Sequence, residues 1–365
     1  MYSYEFDFKF LTGVNIQQEI FMATAAQPHD IKRLLPELGS SQVIVTGANG
    51  FIGSVVVWQL NQIGFKNIIA VDSVDLKQRN LLKNLHYSQF LTKDELLKYL
   101  TTPAANSVSW IIHMGACSST TETDWNFLLE NNTQYTQKLS EWCLKNNAGY
   151  IYASSAATYG AGENGFDDNF DSEKLKPLNL YGDSKVLFDR WILKQAQVPK
   201  HYYGLKFFNV FGPMEYHKES MASVVYKSFH LISKTSQVQL FKSHKAEYKD
   251  GEQLRDFVYV KDVSRWILEL MLLKPKNGIY NMGFGKARTW LDLARGVFSA
   301  IGKEPKINWI EIPDNIKNQY QYFTEAKMNK LFSQNLSAPQ WPLEKAIDDY
   351  VKNYLKEGDA FLKAD

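Results

Sequence analysis

Tyr181 and Lys185 stand four positions apart in the run Tyr181-Gly182-Asp183-Ser184-Lys185, a spacing that puts two side chains on one face of a helix, one turn from each other. That pair has a chemical use: an ammonium beside a phenol lowers its pKa from about 10 toward working pH. Tyr181 then takes the proton of an alcohol as general base. Alone the spacing is an ordinary surface pattern. It gains weight from the run Tyr150-Ile151-Tyr152-Ala153-Ser154-Ser155-Ala156-Ala157-Thr158-Tyr159-Gly160, a strand whose end carries small hydroxyls. Ser155 there is placed to hydrogen-bond the reacting oxygen.

The partner chemistry is written earlier in the chain. Val43-Ile44-Val45-Thr46-Gly47-Ala48-Asn49-Gly50-Phe51-Ile52-Gly53 reads as a β-branched strand, a tight turn and a helix start. Gly47 permits the turn, Gly50 lets backbone N–H groups approach a pyrophosphate, and Gly53 lets helix and strand pack closely. A second strand, Asn67 to Val71, ends in Asp72, where an acid roughly 20 residues after the glycines bonds an adenosine ribose. Asp72 alone favours NAD. Lys77 and Arg79 follow at once, and a guanidinium here neutralises a 2′-phosphate, so NADP is expected with NAD as the alternative. Dinucleotide and proton-transfer pair together imply hydride chemistry on an alcohol.

These motifs need a frame. Strands near 43–46, 67–72, 108–113 and 149–154 alternate with helices near 52–64, 93–100 and 125–146, and the helix from Tyr181 to Lys194 and the strand Tyr202 to Phe207 continue the rhythm. The pattern predicts an α/β fold: a Rossmann-type doubly wound parallel sheet with a smaller mixed α/β substrate lobe. Residues 42–212 form the dinucleotide domain, which also receives about 255–275. Residues 213–365 form most of the substrate lobe, interleaved with the first domain. Residues 1–41 are an N-terminal extension, in which Asp30 to Leu35 either forms a short helix over the sheet edge or belongs to an arm that is disordered throughout; composition does not decide between the two. Acids near the start and few arginines argue against a secretory signal or transit peptide.

A net charge of +2, from 41 bases and 39 acids, gives no broad field for nucleic acid or an anionic membrane. Cys117 and Cys143, the chain's two cysteines, suggest a reducing compartment rather than a disulfide frame. Neither lies in metal-ligand spacing, so no metal is expected, and no apolar span reaches membrane length.

Four runs carry a closer resemblance: His113-Met114-Gly115-Ala116-Cys117-Ser118-Ser119-Thr120-Thr121, the strand end Tyr152 to Gly160, Phe208-Asn209-Val210-Phe211-Gly212-Pro213, and His217-Lys218-Glu219-Ser220-Met221-Ala222-Ser223. From about Gln42 onward the chain resembles the ADP-L-glycero-D-manno-heptose 6-epimerase family, within the extended short-chain dehydrogenase/reductases. The resemblance implies a redox-neutral inversion: hydride leaves C6 of an ADP-heptose for tightly bound NADP, one per subunit. A transient C6 ketone turns its other face, and the same hydride returns. It also implies a cytoplasmic, oligomeric enzyme supplying lipopolysaccharide inner-core precursors.

Two faces call for two proton-transfer groups, and the resemblance puts Lys218 across the substrate from Tyr181. It assigns Gly47, Gly50, Phe51, Ile52 and Gly53 to the dinucleotide turn, and Asp72, Ser73, Arg79 and Lys93 to its adenosine end. Met114, Gly115, Ala116, Cys117, Ser118, Asn131, Lys185 and Val210 line the cofactor further along. Substrate contacts fall on Ser155, Asn209, Ser220, Lys227, Phe241, Lys242, Ser243, His244, Arg255 and Tyr320. Arg255 is the natural clamp for the pyrophosphate, since a guanidinium binds paired oxygens bidentately. The chain departs from the family pattern at Met114, usually acidic, at Lys206 and Met214, usually arginine, and at Lys227, usually histidine.

Two rival readings keep the fold. One is another extended short-chain nucleotide-sugar epimerase, dehydrogenase or dehydratase; Ala156 and Ala157 stand where a dehydratase wants an acid. The other is a non-enzymatic dinucleotide sensor, against which the retained Tyr181 and Lys185 argue.

Overall fold

The computed structural model describes residues 29–317 and 320–364. Its centre is a parallel sheet of seven strands, β1 (Gln42–Thr46), β2 (Ile68–Asp72), β3 (Gln89–Thr92), β4 (Val108–His113), β5 (Gly149–Ser155), β6 (Tyr202–Phe207) and β7 (Gly278–Met282). The order across the sheet is β7-β6-β5-β4-β1-β2-β3. β1 shows how the sheet is buried on both sides. Val43 and Val45 join one core with Val56, Leu60 and Trp266, whereas Ile44 joins another with Leu139, Phe188 and Ile192. Alternating side chains serve opposite faces, so a parallel strand between helical layers is apolar throughout.

Helices α1 (Phe51–Gln62), α2 (Lys93–Tyr99), α3 (Tyr135–Lys145), α4 (Leu180–Lys194), α5 (Val224–Thr235), α6 (Val260–Leu273), α7 (Trp290–Ile301) and α8 (Leu343–Tyr350) complete the frame. α1 and α6 cover one sheet face, and α2, α3 and α4 the other. A separate core joins Val225 and Phe229 of α5, Leu293 and Val297 of α7, and Ile347 and Tyr350 of α8.

The register decides where the site lies. Thr46 sits beside His113, and His113 beside Tyr152, so the segments after β1, β4 and β5 emerge on one rim. After β6 the chain leaves the sheet, and Asn209–Phe211 pairs in parallel with Phe257–Tyr259. Arg255 pairs with Arg288 just before it.

Three features differ from the sequence reading. The expected helix over 125–146 is broken: a turn at Trp125–Leu128 passes through a π-helical segment, Leu129–Gln134, into α3. The wider turn brings Asn132 inward, where its amide grips Cys117 from both sides and donates to Ser184 Oγ at 3.0 Å. Strands β3 and β7 were not anticipated. The expected short helix near Asp30 is a 3-10 helix, Ile31–Leu38, with Ile31 and Leu38 buried in the main core and Glu37 2.7 Å from Lys274 at the end of α6. No helix among the described residues is long and apolar enough to cross a membrane.

Candidate active site

The glycine turn is a cradle shaped by backbone contact. Gly47 has φ +64°, and a Cβ there would stand 2.6 Å from Gly115 N; a Cβ on Gly53 would stand 2.0 Å from Gly47 O. Only bare backbone fits, leaving the N-terminus of α1 open to a diphosphate. A cleft of about 530 Å³ runs from this turn. Met114 to Ser118 line it, together with Asp72, Ser73, Arg79, Lys93 and Asn131. Asp72 accepts the N–H groups of Asn49 and Val74, each at 3.0 Å. Arg79 Nε donates to Asn49 O at 2.8 Å, and Nη2 lies 3.9 Å from Asp72. Lys93 donates to Asn131 Oδ1 at 2.6 Å. The glycine cradle, a carboxylate at the end of β2 and a guanidinium beside it fit a pyridine dinucleotide.

Ser155 ends β5, and Tyr181 and Lys185 project from the first turns of α4, whose N-cap Asn179 accepts from Gly182 N at 2.8 Å. Burial raises the Tyr181 phenol above its ordinary pKa, and its hydrogen bond with Ser155 opposes this. The expectation is that Lys185, aided by the positive charge of an oxidised nicotinamide, lowers that pKa. Here the Lys185 ammonium donates to Ala153 O at 3.0 Å and stands 6.0 Å from the Tyr181 ring centroid, so burial sets the direction. Burial also lowers Lys185 to about 8, against the pull of Asp189.

A second cleft, of about 560 Å³, holds Ser155, Tyr181, Lys185, Asn209, Val210 and Arg255. Phe51, Ile52, Met114 and Lys218 belong to the walls of both clefts. Lys218 comes from the irregular turn Tyr216–Met221, its Nζ 5.3 Å from the Phe51 ring centroid. Burial lowers its pKa while Glu215 raises it. An ammonium thus reaches the junction from one side, and a phenol enters the second cleft from α4.

Residues 43–283 match the NAD dependent epimerase/dehydratase family. The ADP-L-glycero-D-manno-heptose-6-epimerase of Fusobacterium nucleatum is 46% identical over 88% of this chain and all of its own length. The chain belongs to this epimerase family. The protein of the same name from Nitratidesulfovibrio vulgaris is 44% identical over 87% of this chain and 99% of its own. The solved Helicobacter pylori ADP-L-glycero-D-manno-heptose-6-epimerase superposes with a TM-score of 0.73 at 27% identity, covering 87% of this chain and 97% of that one.

In this epimerase fold Arg255 lies between the Trp290 and Tyr320 rings, 5.7 and 5.3 Å from their centroids, and donates to Leu254 O and Gln321 O. Among the described residues it has no carboxylate partner; Asp256 instead accepts the N–H groups of Phe284, Gly285 and Ala326. Other candidates stand outside the cleft wall. Tyr320 backs Arg255, and Phe241 packs edge-on against Tyr320. Lys242 pairs with Glu311 at 2.9 Å, and His244 N donates to Tyr322 OH. Ser220 and Lys227 are exposed and joined to each other, Lys227 Nζ donating to Ser220 O at 2.8 Å.

The structure adds His217 to the cofactor cleft, and Trp290, Gln321 and Thr324 to the second cleft. His217 stood beside Lys218 in the family run and could have been singled out. Trp290 and Gln321 carry no signal of their own, since only the folding of the second lobe brings them near Arg255.

Proposed function

We propose that this chain inverts C6 of ADP-D-glycero-β-D-manno-heptose to give the L-glycero epimer, with NADP as its resident dinucleotide. The observation that carries the reading is the meeting of two proton-transfer groups from unrelated elements, Tyr181 on α4 and Lys218 on the 216–221 turn, around one cleft. A net dehydrogenase needs one such group; an inversion through a ketone needs one for each face. When bound, the nicotinamide supplies the hydride acceptor and later the donor, and in its oxidised form a positive charge. Ser155 and Tyr181 hold the C6 oxygen on one face and move its proton. Lys218 handles the proton on the other. Arg255 clamps the pyrophosphate while the heptose turns, because its guanidinium has no carboxylate partner among the described residues and is held by backbone carbonyls. Because the hydride returns, the cofactor needs no exchange. Arg79 beside Asp72 supports NADP, by offering a cation for a 2′-phosphate. The free thiols Cys117 and Cys143 suit the cytoplasm.

Tyr181→Phe removes one hydroxyl. Turnover should fall by roughly 10²–10⁴-fold with bound dinucleotide and melting temperature retained. Full activity in that variant removes Tyr181 from the mechanism.

A further inference from the structure

The loop that carries Lys218 is closed by a side chain to which the proton-transfer scheme gives no role. Glu215 is fully buried. Its Oε1 accepts from Gly212 N at 3.2 Å and from Ser223 Oγ at 2.7 Å, and its Oε2 from Ser223 N at 2.6 Å. Ser223 Oγ also caps α5 by accepting from Tyr226 N, which directs its proton to Glu215. Burial raises the Glu215 carboxyl above its ordinary pKa, and the three donors at the N-terminus of this twelve-residue helix oppose the shift and favour the anion.

The same residue reaches Lys218 by a second route. Glu215 O accepts the Lys218 N–H at 2.9 Å. Met214 and Glu219, on either side of this pair, take left-handed backbone angles, φ +79° and +46°. Non-glycine residues stay there only where the surroundings hold them. Here the bonds from Glu215 to Gly212 and Ser223 hold both ends of the loop.

We propose that Glu215 is the positioning residue of the second proton-transfer group: its carboxylate cinches the 212–223 loop and presents Lys218, with a negative charge behind it, at the junction of the clefts. The other charges near Lys218 oppose this. Lys227 on α5 repels it, whereas its neighbour His217 is lowered to about 4 by burial, then by Arg79 and Lys218, and so carries no charge at neutral pH. Tyr216, Tyr226 on α5 and Tyr350 on α8 face Glu215 as neutral phenols. Burial sets the downward direction for Lys218, and Glu215 supplies the negative charge that offsets part of it.

The inference rests on the proposed role of Lys218, and the test separates the two. Turnover of purified enzyme is followed against pH in both directions for Glu215→Gln, Glu215→Asp, Ser223→Ala and Lys218→Met, with circular dichroism and bound dinucleotide as checks of fold. Lys218→Met should be inactive; full turnover would overturn the Lys218 reading and this inference with it. In Glu215→Gln the limb set by Lys218 should move to lower pH by about one unit. The alkaline limb moves where Lys218 donates a proton, and the acid limb where it accepts one. Glu215→Asp and Ser223→Ala keep the charge, so kcat should drop several-fold with the limbs in place. Should the glutamine variant not fold, limbs that stay in place in the aspartate and alanine variants still support the charge role, and limbs that move there overturn it. Unmoved limbs in a folded Glu215→Gln, with Lys218→Met inactive, would overturn the role of Glu215 alone.

Discussion

The Lys206 ammonium stands 3.0 Å from the Asp189 carboxylate, and both side chains are sealed from solvent. Asp189 also accepts from Tyr152 OH at 2.9 Å and Ser154 Oγ at 2.8 Å. Lys206 donates to Thr158 Oγ1, which donates in turn to Ser155 O. The pair thus anchors the strand end that presents Ser155, and Asp189 lies one helical turn beyond Lys185 on α4.

Removing one partner leaves the other charged and buried, so Asp189→Ala should cost about 3–5 kcal/mol of stability. Replacing both, as in Asp189→Leu with Lys206→Met, should recover much of that loss. Urea unfolding of the single and double variants measures it. A single-variant loss below about 1 kcal/mol, the range of exposed pairs, would show that the pair is not sealed.

His113 is wired as a neutral ring. Thr46 Oγ1 accepts from Gly115 N, so its proton goes to His113 Nδ1 at 2.6 Å. Thr136 Oγ1 donates to Asn132 O and therefore receives the proton on His113 Nε2 at 3.0 Å. Burial, reinforced by Lys185 and Lys93, lowers the imidazole to about 3. As pH falls below about 6.5, the unfolded ring gains a proton that the folded ring refuses. This group's stabilisation is therefore complete above that pH and is lost progressively toward about pH 3. Nitrogen-15 NMR should show Nε2 protonated, Nδ1 bare and no titration from about pH 8 to 5. A ring that titrates near its ordinary value would contradict the network.

The glycine turn and the helical pair were legible because each is a local requirement. Gly47 needs its positive φ and its contact with Gly115, and the Tyr181–Lys185 spacing needs only a helix. The aim of Lys185 at Ala153 O was not legible, since it depends on how α4 seats against β5. Nor was the π segment, which turns Asn132 onto Cys117 fifteen positions away. The second lobe was hardest to read. Pairings as short as Leu254–Arg255 with Arg288–Thr289 leave no periodicity, so the surroundings of Arg255 emerge only in three dimensions.

If Arg79 receives a 2′-phosphate, Arg79→Ala removes a charge-assisted contact worth about 1.5–3 kcal/mol. NADP affinity should then fall about tenfold or more, and NAD affinity little. Titration of both dinucleotides into stripped protein measures the difference. Equal losses would place the phosphate elsewhere.

The central claim is an inversion that recycles its own hydride. Purified protein, with no cofactor added, is incubated with ADP-D-glycero-β-D-manno-heptose while NMR follows the C6 proton and a denatured parallel sample identifies the bound dinucleotide. Conversion to the L-glycero epimer, with NADP released on denaturation, is the predicted result. No conversion in a sample shown to hold dinucleotide would contradict it and send the search to other nucleotide sugars.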